Sequence, residues 1–354
     1  MRGWRLRACA IALILAVTPW LSGCSNLSYY WQAASGHLRL MNATRPVSDW
    51  LADPATPDPL KERLALTQRI RDYAVRELHL PDNTSYRRYA DLRRAAAVWN
   101  VVAAPEDSLT LRTSCFLFTG CIGYRGYYDE AQARAEAELL VAQGLDVAVY
   151  GVPAYSTLGW LEWLGGDPLL STFIRYPEGE LARILFHELA HQVVYAQDDT
   201  AFNESFATAV ERLGGERWLA QSTPQAREEY ARYDEHRRAI RAIVQEARRA
   251  LGALYADAAL DRDARLAGKR RELARLQQRY AALRERWGGW SGYDAYMARM
   301  NNAMLGAQAA YDDLVPGFEA LFERSGRDFP RFYDAVRALA RQPREQRHAA
   351  LAVP

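Results

Sequence analysis

The chain has no excess of either charge sign. Its 354 residues carry 45 Lys and Arg against 43 Asp and Glu, a formal net charge of +2. Removing Arg2, Arg5 and Arg7 with an N-terminal leader brings that balance to about −1. Nothing here forms the basic stripe that a nucleic-acid binder needs, so no nucleic-acid partner is expected. The arginines between Arg227 and Arg286 are interleaved with Glu and Asp and read as a solvated helix surface. The chain has no apolar run long enough to span a bilayer, no internal repeat and no low-complexity tract. Histidine and cysteine are scarce, at six and four residues, so any cluster of either type carries information.

Two of the six histidines stand four apart in His187-Glu188-Leu189-Ala190-His191. That spacing puts two imidazoles on one face of a helix, where both can reach a single zinc ion, and sets Glu188 to act as general base on a water at that ion. Leu181, Ile184, Leu185, Val193 and Val194 flank the motif as a buried helix requires. A catalytic zinc needs a third protein ligand and one open position. Glu204, 13 positions beyond His191 on a second helix, is the candidate. Glu211, one heptad further on, is either the rival ligand or a partner that orients a histidine. Asp199 or Thr200 is expected to cap that second helix.

These residues resemble two known patterns. HExxH followed by Asn203-Glu204-x-Phe206-Ala207 is similar to the gluzincin pattern of aminopeptidase N-type enzymes, with Ser205 in place of their glycine and a shorter spacer. The stretches from His187 to Gln192 and from Asp199 to Glu211 resemble a family of bacterial lipoproteins catalogued as predicted zinc aminopeptidases. That likeness extends through residues 124–130, 155–160 and 301–311, and so covers most of the chain after its leader. It implies a zincin-like core and peptide hydrolysis. In such enzymes a tyrosine or histidine stabilises the oxyanion. Tyr311 is our candidate, with Tyr293 and Tyr296 as rivals. His37, His79, His236 and His348 have no motif context and read as surface or packing residues. An aminopeptidase also needs an acid for the substrate's α-ammonium. Glu162 and Asp167 are placed for this, although both also read as exposed turn residues.

Location follows from the N-terminus. Basic residues, an apolar run from Ala8 to Val17 and Leu21-Ser22-Gly23-Cys24 match a lipoprotein signal, in which Cys24 becomes the lipidated first residue. Ser25 is not the aspartate of an inner-membrane retention signal, so the expected site is the bacterial outer membrane, facing the periplasm. Cys9 leaves with the leader. Cys115 and Cys121 then remain, and in an oxidising compartment they are expected to form a disulfide.

The expected fold is α+β and mostly helical: a zincin-like catalytic core with a small sheet and a long antiparallel helical hairpin. Residues 1–23 form the signal, 24–59 a tether and linker, 60–224 the core and 225–287 the hairpin. Residues 288–340 are helices completing the core, and 341–354 a frayed tail. Periodicity predicts helices over 60–80 and 129–143, and strands over 97–103 and 146–152. The second strand is a candidate edge for pairing with substrate backbone, or an internal packing strand. The hairpin reads as an arm projecting from the core, serving as a partner-docking element, lid or brace. The function expected is zinc-dependent peptide hydrolysis, by an aminopeptidase or an envelope endopeptidase. The competing class is a non-catalytic envelope protein with a structural zinc site.

Overall fold

The computed structural model describes residues 28–116, 120–154, 157 and 165–352. The elements run in the order α1 (28–42), β1 (Arg45–Pro46), α2 (Val47–Ala52), α3 (Asp58–Arg76), β2 (Arg88–Ala90), β3 (Val98–Pro105), β4 (Ser114–Phe116), β5 (Gly120–Ile122) and β6 (Arg125–Tyr127). There follow α4 (Glu130–Val141), β7 (Leu145–Val152), β8 (Leu169–Leu170), α5 (Glu178–Ala190), α6 (Thr200–Gln221), α7 (Pro224–Ala256) and α8 (Arg262–Arg286). The chain closes with α9 (Asp294–Met297), α10 (Asn302–Asp312), α11 (Val315–Arg324), α12 (Phe329–Ala340) and α13 (Arg344–Leu351). The protein is α+β and mostly helical, with small sheets.

Helices α5 and α6 form the centre of the larger core. Pro177 opens α5, Glu178 and Glu180 place negative charge at its N-terminal turn, and Leu181, Leu185, Phe186 and Leu189 bury one face. Asp199 caps α6 by accepting a hydrogen bond from the Phe202 amide. The two helices approach closely at Gly214 and Gly215. A Cβ at Gly214 would stand 2.6 Å from Leu78 Cδ1 and 3.0 Å from Phe186 Cδ2, and one at Gly215 would stand 2.7 Å from Arg183 Cγ. Phe202 and Phe206 of α6 pack against Phe318 of α11, and Phe206 also meets Phe332 and Tyr333 of α12.

The antiparallel sheet β6-β3-β7 is covered differently on its two faces. Alternation sends Val101 and Ala103 to one side, where they meet Ala133 and Leu140 of α4 and Tyr29 of α1. Val102, Ala104 and Ala148 point to the other side, which α10 covers, and share one cluster with Ala303, Met304 and Leu305 of α10, Ile240, Val244, Ala247 and Leu251 of α7, and Leu276, Tyr280 and Leu283 of α8. The helical hairpin is therefore packed into the core behind α10 and does not project from it. Apolar positions 240, 244, 247 and 251 recur at helical spacing, a continuous stripe hidden among the arginines. Lys269 pairs with Asp146 at 2.7 Å and fixes α8 to the start of β7.

Two smaller pieces complete the frame. Cys115 and Cys121 stand opposite each other in the β4–β5 hairpin and form the disulfide. Gly120 in that hairpin has φ +73°, and a Cβ there would meet Asp198 Oδ1. The Cys121 amide donates to that same carboxylate at 2.5 Å, so the hairpin clamps the loop between α5 and α6. The segment read as a frayed tail contains a helix instead. In α13, Leu351 is buried and packs so closely on Gly317 of α11 that no side chain fits there.

Candidate metal centre

His187 and His191 project from the last turn of α5, and Glu204 projects from the first turns of α6. One ligand atom from each of the three lies within 4.8 Å of the others. Glu204 Oε2 stands 3.3 Å from His187 Nε2 and 3.6 Å from His191 Nε2. Glu211, two turns along α6, faces the opposite nitrogen of the first histidine, with His187 Nδ1 to Glu211 Oε2 at 2.9 Å. An acceptor at Nδ1 fixes the tautomer that leaves Nε2 free for a ligand bond.

Each residue of the Asn-Glu-Ser-Phe-Ala run has a visible task. The Asn203 side chain accepts from the Ala196 amide and donates to the Ala196 carbonyl, both at 2.8 Å, which ties the loop to α6. Ser205 accepts from the Leu314 amide at 3.3 Å, a bond that glycine could not offer. Phe206 and Ala207 are wholly buried.

Behind the ligands runs a polar chain that the sequence reading missed. Glu211 pairs with Arg183, whose Nη1 donates to Tyr230 Oη at 2.7 Å. Arg237 donates to the same hydroxyl at 3.0 Å and grips Glu180 at 2.7 and 2.8 Å. The first turns of the hairpin thus support His187 through Glu211 and Arg183. Position 183 lies one turn before His187, so helical spacing was a usable signal. At the far side, Asp199 is completely buried, with His348 Nε2 at 2.9 Å and Arg347 Nε at 3.0 Å. His348 is a half-buried partner of the α6 cap, a role no local motif announces.

The electrostatics favour a cation at the triad. Burial alone would depress the His187 imidazole, yet Glu204 and Glu211 raise its pKa well above the ordinary value. Burial likewise pushes Glu204 up, but His191 and His187 overcome it and hold the carboxyl far below its usual range. Glu211 is brought down to about 2 by Arg183 and His187 against the same burial effect. Two imidazole nitrogens and a carboxylate oxygen converging on one point require positive charge there, which protonation or a metal ion supplies. Two histidines and one glutamate are a donor set that fits zinc.

A cavity of about 550 Å³ opens on this cluster. Glu188 lines it beside the ligands, and burial raises its carboxyl pKa against the pull of His187 and His191. Tyr124 and Tyr195 also line it, and the Glu204 charge reaches both hydroxyls. Burial pushes Tyr195 up to about 12 and raises Tyr124 well above the ordinary value, so both remain O–H donors at neutral pH. Neither was singled out from sequence. Tyr195 stands four residues after His191, a spacing that 20 tyrosines in the chain conceal. Tyr311 lies on α10, which packs on α6 and β3, and its side chain falls outside the described residues. Tyr293 meets Trp290 and Tyr296 edge-to-face, while the Tyr296 hydroxyl donates to Gln308 on the cavity wall at 3.3 Å.

The two acids considered for an α-ammonium fare differently. Glu162 lies outside the described residues. Asp167 is buried, not exposed, and does not line the cavity. Its carboxylate accepts from the Thr157 amide at 3.0 Å and from Nε2 of Gln192, the residue after His191, at 3.0 Å. The candidate substrate edge is also altered. β7 is an edge strand among the described residues, but its outward carbonyls at Val147 and Val149 accept from Asn301 (2.8 Å) and Arg299 (3.4 Å). The opposite edge, β6, borders the cavity at Gly126.

The model of the family described as "Putative aminopeptidase" matches residues 28–351, and the chain belongs to that family. No curated protein and no solved structure matches it.

Proposed function

We propose that the protein is a zinc-dependent peptidase, an aminopeptidase by family, that works in the bacterial cell envelope on a lipid tether at Cys24. The observation that carries the proposal is the convergence of His187, His191 and Glu204 on one point, with Glu188 beside them in an open cavity. Zinc held by these three residues would polarise the scissile carbonyl and lower the pKa of a water molecule towards neutrality. Glu188, whose carboxyl is made more basic by burial against the pull of the two histidines, would take a proton from water in the cavity and pass it to the leaving amine. Tyr124 or Tyr195 donates a hydrogen bond to the developing oxyanion, Tyr311 being the further candidate on α10. Glu211 acts through His187, holding its ring in place. Among the described residues lining the cavity, the acids are Glu188, Glu204 and Glu211, and all three have these tasks. Glu162 is left as the candidate for the substrate's α-ammonium.

The test is hydrolysis of free and N-blocked peptides by the zinc-loaded mature chain and by Glu188→Gln, with metal content measured in both. The variant is expected to keep its zinc and to lose at least about a hundredfold in kcat, the scale of a general-base contribution. Cleavage of unblocked peptides alone supports the aminopeptidase assignment; cleavage of both makes the protein an endopeptidase. Stoichiometric zinc in an inactive wild type would make the site structural.

A further inference from the structure

Scattered exposed apolar side chains are ordinary on a protein surface, but here they are not scattered. Among the described residues, Tyr30, Trp31, Leu38, Leu139 and Val141 account for every large exposed apolar side chain except Trp290. Three belong to α1 and two to α4. Trp31 is 74% exposed and Leu38 49%. They stand seven residues apart with Ala34 between, one stripe along the outer face of α1. On α4, Leu139 is 64% and Val141 58% exposed.

The two helices meet on one side of the sheet. Tyr29 of α1 packs into the cluster that Ala133 and Leu140 of α4 share with β3. Arg125 joins them: its guanidinium lies 4.5 Å above the Tyr29 ring, and its Nη1 meets Glu136 at 3.2 Å. Leu139 follows Glu136 by one turn. The inward face of α1 is spent on the protein, with Gln32 bonded to the Gly126 carbonyl at 3.1 Å and to the Tyr128 amide at 3.3 Å. Among the described residues nothing covers its outward stripe.

The occupant follows from chain length. Four residue steps separate Cys24 from the first residue of α1, a reach of at most about 14 Å even when fully extended. If Cys24 carries a lipid, as its lipobox indicates, α1 starts within that distance of the acyl chains. Trp and Leu on one face with Arg39 beside them suit the headgroup boundary, where indole rings concentrate. We infer that the outer face of α1, extended by Leu139 of α4, lies on the surface of a phospholipid bilayer. The inference rests on the tethered reading proposed above. It sets the cavity, lined by Tyr29 and Ala33 of the same helix, one helix diameter from the lipid.

With Cys24 acylated and Cys115 joined to Cys121, an introduced cysteine is the sole free thiol. Leu38→Cys, Leu139→Cys and, as a control, Glu285→Cys on the far-side hairpin would be spin-labelled in the full lipidated chain. The chains are then reconstituted in vesicles of phosphatidylethanolamine and phosphatidylglycerol. Collision with oxygen, which dissolves in lipid, is compared with collision with a water-soluble nickel complex. The ratio is expected to rise several-fold at positions 38 and 139 relative to 285. Equal ratios at all three positions overturn the inference. Labels at 38 and 139 shielded from both reagents also overturn it, in favour of a protein partner on this face. A mature chain without acyl mass that stays in the supernatant overturns it too, and leaves the peptidase reading to the hydrolysis assay.

Discussion

At the scale of single residues, the site depends on side chains that touch no substrate. Glu211 holds His187 by its second nitrogen, so Glu211→Gln is expected to weaken zinc affinity by roughly 10–100-fold while leaving the three ligands in place; competition with a chromophoric chelator measures it. Asp199 is buried against His348 and Arg347 and caps α6. Asp199→Ala leaves the Arg347 guanidinium without its buried carboxylate and is expected to cost about 3–5 kcal/mol in urea denaturation. His37 of α1 is buried, which lowers its pKa below the ordinary 6.5. The unfolded chain takes up that proton first, so stability is full above about pH 6.5 and falls as pH drops towards the folded value. Urea midpoints on either side of that pH should differ more in wild type than in His37→Leu. The ligands were legible from sequence because a helix repeats every 3.6 residues and places them on one face. Asp199–His348 and Glu211–Arg183–Tyr230 were not, because they join positions distant in the chain through tertiary packing.

At the scale of elements, periodicity located the main helices and strands, while their partners came from packing. Strand β3 was expected over residues 97–103 and forms over Val98–Pro105; its neighbour, expected over 146–152, forms over Leu145–Val152. Which edge stays open depended on Arg299 and Asn301, far downstream, and no strand pattern records that. The hairpin misled through its charge: a four-residue apolar stripe on α7 is enough to draw it into the core cluster behind α10. The α5–α6 contact is where an element-scale change tells most. Gly214→Val inserts atoms where Leu78 and Phe186 already stand, and overpacking of this kind costs about 1–3 kcal/mol. Because it pries the two ligand-bearing helices apart, zinc affinity should fall with stability. Parallel urea and zinc titrations check both, and a loss of stability with unchanged zinc affinity would show that α5 and α6 move as one body.

At the scale of the whole molecule, a metal held by this triad would be thermodynamically linked to the fold. Ligands from two helices converge only in the folded chain, so zinc at a hundred times its Kd should stabilise that state by about 2.7 kcal/mol. Removing it with a chelator is expected to lower Tm by several degrees in a scanning measurement.

One arrangement also ties the site to a distant stretch of chain. The cap of the helix that bears Glu204 meets Arg347 and His348, the latter 149 positions along the sequence. A chain cut after Ala340 would keep His187, His191, Glu204 and Glu188, yet lack both groups that seat the Asp199 carboxylate. Clipping α13 by limited proteolysis is therefore expected to loosen the start of α6 and weaken metal binding without touching any of those four residues.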